Sequence, residues 1–274
     1  MEVQIADMDL AQITDSGQCF RMERLEDGGY RLIAGRRCLK LYQIGEKSPA
    51  RFVFSCGEEE FGKFWSGYFD LGRDYGAMRK RIDPQDAYLS RAVSRGWGIR
   101  ILKQDLWEMI ITFIISQQNN IPRIRRCVRL LCERYGECLE DEECGKYYAF
   151  PGAKCLANAD LEALLACNLG YRAKYIQKTA QMIAEGRVSL EAVAAMPYEQ
   201  ARDELKKLCG VGIKVAECVC LFALHHVDAF PIDTHISQIL AAHYPRGFPF
   251  DRYQGIAGIL QQYMFYDELH GDKG

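Results

Sequence analysis

A change of apolar period near residue 57 limits this chain more than any other feature. Before it, β-rich residues come in short runs, Tyr30 to Ile33, Cys38 to Ile44 and Arg51 to Ser55, separated by Asp27-Gly28-Gly29 and Ser48-Pro49. From Glu58 onward the spacing is helical: Phe61, Phe64, Trp65, Tyr68 and Phe69 first, then nearly every segment from Ile101 to the end. One element cannot satisfy both periods, so the chain should fold as an α+β protein, a small antiparallel sheet followed by a mostly helical remainder. The spacing predicts helices over 104–117, 122–135, 160–167, 172–185, 198–208, 213–224, 234–243 and 251–267, with breaks at Pro151-Gly152, Pro197, Pro231 and Pro245. The expected division is 1–96 for the sheet-bearing part and 97–274 for the helical part.

With 35 basic against 37 acidic side chains the net charge is −2, so the molecule as a whole does not attract a polyanion. Any nucleic-acid site must be local. Arg123, Arg125, Arg126, Arg129 and Arg134 fall within one amphipathic stretch, where a solvated helix face is the plain reading. No apolar run is long enough to span a bilayer, and the first residues carry acid (Glu2, Asp7, Asp9) where an export signal needs base, which predicts a soluble cytoplasmic protein. The twelve cysteines are therefore expected as reduced thiols. Cys127, Cys132, Cys138 and Cys144 lack the close C-x2-C pair of a zinc or cluster site, so buried thiols are expected there and no metal. His225 and His226 read as caps at a helix end, where the dipole favours imidazolium.

The chemistry-bearing stretch is Leu208 to Cys218, with Gly210-Val211-Gly212 between two predicted helices. A turn this short needs positive φ, which the two glycines are expected to supply. The second helix then opens with free N–H groups behind a loop poor in side chains, an anion site that suits a DNA phosphate. Lys214 sits in that first turn, where the dipole and the apolar neighbours Ile213 and Val215 disfavour an ammonium. It reads either as an amine able to form a Schiff base or as a lysine reaching solvent beside a phosphate. Nineteen residues on, Pro231-Ile232-Asp233-Thr234-His235 places Asp233 to cap the next helix. A carboxylate held there can also stabilise positive charge developing at a sugar C1′.

These residues resemble the helix–hairpin–helix DNA glycosylases, and among them the 8-oxoguanine DNA glycosylase/AP lyase branch. The resemblance extends along most of the chain. Ser16-Gly17-Gln18-Cys19-Phe20-Arg21 is similar to that branch's Ser-Gly-Gln-x-Phe-Arg segment, and Ile101 to Asp105 with Ile115 to Ile121 resembles the helix entering its intercalating loop. Asn168 to Ala173 resembles its Leu-Gly-Tyr-Arg-Ala segment, and Ala257-Gly258 through Phe265 and Leu269 its final helix.

The resemblance implies that Lys214 is the nucleophile and Asp233 its carboxylate partner. It implies that the Gly17 carbonyl accepts the N7–H of 8-oxoguanine, that Gln261 reads the Watson–Crick edge, and that Cys218 and Phe265 sandwich the ring. Gln118, in a loop with Asn119, and Tyr171 would fill and wedge the stack, and Arg123 and Arg172 would contact the widowed base. His235, with Gly210 and Gly212 of the hairpin, would meet phosphates. The implied activity is excision of oxidised purine, chiefly 8-oxoguanine, from duplex DNA, followed by β-elimination at the abasic site. It implies a monomer, nucleoid-associated in a bacterium, with no cofactor. Cys209 stands where the family usually has Pro, Met22 where Trp is usual, and Gln118 where Asn is usual. The rivals are a glycosylase of the same superfamily acting on alkylated bases and a non-catalytic damage-binding module; the lysine argues against both.

Overall fold

The computed structural model describes residues 1–271; the last three residues of the expected 97–274 domain lie outside the described residues. Strands β1 (Glu2–Ile5), β2 (Met22–Arg24), β3 (Tyr30–Ala34), β4 (Arg37–Ile44) and β5 (Ala50–Phe54) form one antiparallel sheet in the order β1-β5-β4-β3-β2. The period of two puts Tyr30, Leu32 and Ala34 of β3 on the buried face, where Leu32 pairs with Leu39 of β4. The three expected strands are its centre. The edge strands β1 and β2, four and three residues long, are too short for alternation to mark them.

Every helix expected from spacing is present, among them Leu106–Ser116, Ile121–Tyr135, Arg172–Ala184, Ile213–Phe222 and Thr234–His243. The last one begins late, at Ala257, because residues 250–256 form turns in which the Gly255 N–H donates to Asp228. An unexpected hairpin, β6 (Cys138–Asp141) and β7 (Gly145–Tyr148), fills part of the stretch between two helices. Cys127, Cys132 and Cys144 are buried as expected, but Cys138, on the edge of the two-stranded hairpin, is exposed; all twelve cysteines are free thiols.

Apolar packing divides into two cores. One joins the sheet to Trp65, Tyr68 and Phe69, and the other fills the helical body. Residues 75–96 contribute Tyr75, Tyr88, Leu89 and Val93 to the helical core. Their helix Ala87–Arg95 is tied to the final helix Ala257–His270 by Arg91 and Arg95, which both pair with the buried Asp267. No helix among the described residues is long and apolar enough to cross a membrane.

His226 closes the helix end as expected, but through its backbone and not through a charged ring. His225 turns away in a left-handed conformation (φ 58°) and its Nε2 lies 3.2 Å from the Ile101 carbonyl, while the His226 backbone N–H returns to Cys220. Burial holds both imidazoles below their ordinary range, so the dipole does not make them cations.

Candidate active site

The helices Tyr198–Leu205 and Ile213–Phe222 enclose the hairpin foreseen at Gly210. Only one of its glycines takes a positive φ. Gly210 sits at 81°, and a Cβ there would stand 2.7 Å from Cβ and Cγ of Tyr175, so both backbone conformation and close approach require glycine. Gly212 is extended at φ −86°, with open space where a Cβ would be. It is the residue preceding the helix, and having no side chain it leaves the first N–H groups without a side-chain cap. The turn is pinned from two sides, by Thr179 donating to the Cys209 carbonyl at 2.7 Å and by Gln117 donating to the Gly210 carbonyl at 3.0 Å.

Lys214 is half-buried in the first turn of the second helix, with its Nζ 5.4 Å from the centre of the Phe113 ring. The apolar wall beside it is that ring, not Ile213, which is 55% exposed. One turn on stands Cys218; burial pushes its thiol up, and the charge of Lys214 pulls it back. Asp233 caps the helix Thr234–His243 by accepting the Ile236 N–H at 2.9 Å, as its place in the sequence predicts.

Lys214 and Asp233 line one cavity with Gly17, Cys218, Gln261 and Phe265. Four separate stretches of chain thus meet there. Gly17 (φ 75°) lies against the Phe265 ring, which a Cβ would approach to 3.0 Å. Gln261 is buried; its amide nitrogen donates to the Pro231 carbonyl at 3.1 Å, and its Oε1 has no partner among the described residues. A buried acceptor left open beside a cavity is suited to a ligand N–H.

The loop carrying Gln118 and Asn119 lies between the helices Leu106–Ser116 and Ile121–Tyr135. Gln118 is exposed in a left-handed conformation (φ 47°), and Asn119 folds back to the Ile115 carbonyl. Tyr171, 48% exposed, reaches the Gln118 amide at 3.4 Å. Arg123, exposed on the first turn of the following helix, is open to solvent. Arg172 is the other arginine expected at a widowed base. It is buried, stacked on the Tyr171 ring, and its guanidinium donates to the carbonyls of Gln117, Gln118 and Leu169. His235 is at the rim, its ring edge-on to Phe265 and its Nδ1 3.9 Å from Glu268. Of the other arginines of the cluster, Arg125 bonds to the Thr14 carbonyl and Arg129 pairs with Glu133, so part of that face is structural.

Several contributors were not foreseen. Phe113 lies under Lys214, and Gln262 donates to the Ser16 carbonyl, holding Gly17 at the cavity. Gln117 joins the wedge loop to the hairpin. Phe113 and Gln262 carry no mark in the sequence, since one is a core aromatic among others and the other neighbours Gln261. Glu217 did carry one, as the lone acid in an apolar helix.

Comparison with known proteins covers most of the chain. Residues 1–110 match the 8-oxoguanine DNA glycosylase N-terminal domain, and residues 111–247 match the HhH-GPD superfamily of base excision DNA repair proteins. An N-glycosylase/DNA lyase of Saccharomyces cerevisiae is 32% identical over 257 residues, covering 86% of this chain and 68% of its own. One from Arabidopsis thaliana is 35% identical over 234 residues, covering 82% and 63%. The chain thus spans about two thirds of the length of these relatives. An 8-oxoguanine glycosylase/lyase of Clostridium acetobutylicum, solved with double-stranded DNA carrying cytosine opposite 8-oxoguanine, superposes with a TM-score of 0.88 at 35% identity over 97% of this chain and 96% of that one. Two matched domains that together run from residue 1 to 247, with the hairpin lysine inside the second, leave one assignment: this chain belongs to the HhH-GPD superfamily of base excision DNA repair proteins and carries the 8-oxoguanine DNA glycosylase N-terminal domain.

Proposed function

We propose that this protein flips an oxidised purine, chiefly 8-oxoguanine, out of duplex DNA, excises it through a lysine Schiff base, and cleaves the abasic strand by β-elimination. The observation that carries the reading is the cavity itself, where an amine, a carboxylate and the residues suited to grip a base converge. The family and its N-glycosylase/DNA lyase relatives support the activity.

In this reading the Lys214 amine attacks C1′, and the bond to the base breaks as positive charge builds on the sugar. Asp233, held in place by its cap to Ile236, stabilises that charge. Ring opening leaves an imine between Lys214 and C1′. Loss of a C2′ proton then expels the 3′ phosphate and cuts the strand. Gln261 offers its open Oε1 to the donor edge of a guanine-type base, while the Gly17 carbonyl takes the N7–H. The cavity is small, about 40 Å³, and the Phe265 ring that would stack on the base rests beside Gly17. Unstacking costs a few kcal/mol, and only a base that satisfies the buried acceptor offsets it.

The test is borohydride trapping with duplexes carrying 8-oxoguanine, an alkylated purine or an intact guanine. Wild type should give a covalent adduct with the 8-oxoguanine duplex. Lys214→Gln should fold and bind that duplex yet give no adduct, with strand cleavage reduced by roughly 10⁴-fold or more, the scale reached when one member of a catalytic unit is removed. An undiminished adduct refutes the nucleophile assignment, and excision of the alkylated base alone favours the rival glycosylase.

A further inference from the structure

Glu217 is the only acid in the helix Ile213–Phe222, three residues after Lys214, and only 6% of it is exposed. Its Oε2 accepts from the Tyr198 hydroxyl at 2.5 Å and from the Phe230 backbone N–H at 3.0 Å; its Oε1 lies 3.6 Å from Arg202 Nη1. Burial and the carboxylate together hold the Tyr198 hydroxyl well above its ordinary range, so it stays a donor. Phe230 stands three residues before Asp233, and Pro231 between them has a fixed φ and a carbonyl held by Gln261. One carboxylate on the lysine's own helix thus grips the segment that ends in Asp233.

We propose that Glu217 is a positioning residue for excision: through the Phe230 N–H it sets where Asp233 stands relative to Lys214. The inference rests on the roles assigned above to Lys214 and Asp233. A buried carboxylate contributes little to stability, because its desolvation offsets most of what its partners return. What it supplies is a fixed distance between two elements that are apart in sequence. Misplacement of a reacting group by about 1 Å costs on the order of 10²-fold in rate. The Phe230 bond is where such a shift would start, since only Pro231 and Ile232 separate that residue from Asp233.

The experiment measures single-turnover excision from an 8-oxoguanine duplex and duplex affinity for wild type, Glu217→Leu and Glu217→Gln, each also combined with Asp233→Asn. Glu217→Leu should slow excision by about 10- to 100-fold while affinity changes less than about threefold. Glu217→Gln, which keeps an acceptor for the Phe230 N–H, should recover most of the rate. In the Asp233→Asn background, Glu217→Leu should cost little more, because the carboxylate to be placed is gone. Wild-type excision by a folded Glu217→Leu, or an equal loss in both backgrounds, overturns the proposal. If Glu217→Leu does not fold, Tyr198→Phe takes its place in the same cycle, with a loss of about threefold expected from the weakened grip; a wild-type rate there overturns it too. Wild-type excision by Asp233→Asn alone would refute the Asp233 assignment itself, a result distinct from failure of Glu217 alone.

Discussion

The two ends of the site are built in different ways. At the hairpin end, Lys214 and Asp233 each occupy the start of a helix, and the backbone beneath them is fixed by Gly210 against Tyr175 and by Asp233 accepting the Ile236 N–H. At the wedge end, Gln118 is exposed in a left-handed conformation, and Tyr171 and Arg172 bond to that loop and stack on one another. The groups proposed for the chemistry stand at the starts of two helices, whereas those proposed to enter the duplex rest on one another. A nucleophile must be placed to within a fraction of an ångström, whereas a wedge has only to fill a gap and is free to rearrange as it enters.

This contrast predicts that damage at the hairpin end appears in rate and damage at the wedge end in affinity and selectivity. The largest effect expected in this set is from Asp233→Asn. The amide still accepts from Ile236, so the cap survives, but the charge is lost. Excision should fall by about 10²- to 10³-fold, the range for loss of one charge-stabilising group, with affinity for the lesion duplex nearly unchanged. Wild-type turnover measured at saturating enzyme would leave Asp233 as a cap alone and remove half of the contrast.

Gly210→Ala tests the rigidity directly. It imposes a left-handed alanine and a Cβ 2.7 Å from the Tyr175 side chain at its root, where no flexible end can swing aside. We expect a loss of about 2–3 kcal/mol, or roughly 4–10 °C in Tm for a chain of this size. A thermal scan that shows no change would mean that the hairpin yields easily and that its order is not what places Lys214.

The third effect concerns the strand opposite the lesion. Of the two arginines expected to read the widowed base, only Arg123 is exposed; Arg172 is committed to loop carbonyls. An unpaired charged donor in a dry gap costs about 1–3 kcal/mol, so wild type should prefer cytosine over adenine by about tenfold. Arg123→Ala should flatten that preference and leave the borohydride adduct intact. Equal single-turnover rates with all four opposite bases in wild type would refute the idea that the wedge end selects.

What the sequence made readable follows the same division. Central strands β3, β4 and β5 and the long helices were legible because their period is set by burial of one face. Strands β1, β2, β6 and β7 were not, since strands of three or four residues are defined by a partner and not by their own pattern. Gly17, Lys214, Cys218, Asp233, Gln261 and Phe265 could be gathered only because their motifs resembled a family; their meeting in one cavity is a fact of the fold. The seat of Arg172 was hidden because its partners are backbone carbonyls, which every residue has and which leave no trace in side-chain identity. Glu217 was visible as an acid in an apolar run, and such a residue is a cue to look for the donors it must have found.

The smallest effect separates stability from function at one residue. Gln118 holds φ at 47°, a conformation that costs an L-residue about 1–2 kcal/mol and glycine almost nothing. Gln118→Gly removes that strain but adds freedom to the unfolded chain, worth roughly 0.5–1 kcal/mol in the other direction. The net should be a gain of up to about 1 kcal/mol, or roughly 2–4 °C in Tm. The same change deletes the side chain that Tyr171 touches and that would fill the vacated stack, so lesion-duplex affinity should fall by a few-fold while the rate at saturation holds. Stability and affinity then move in opposite directions, as expected where backbone strain is held at a functional loop. If both fall together, the loop is part of the rigid frame and the two ends of the site are built alike.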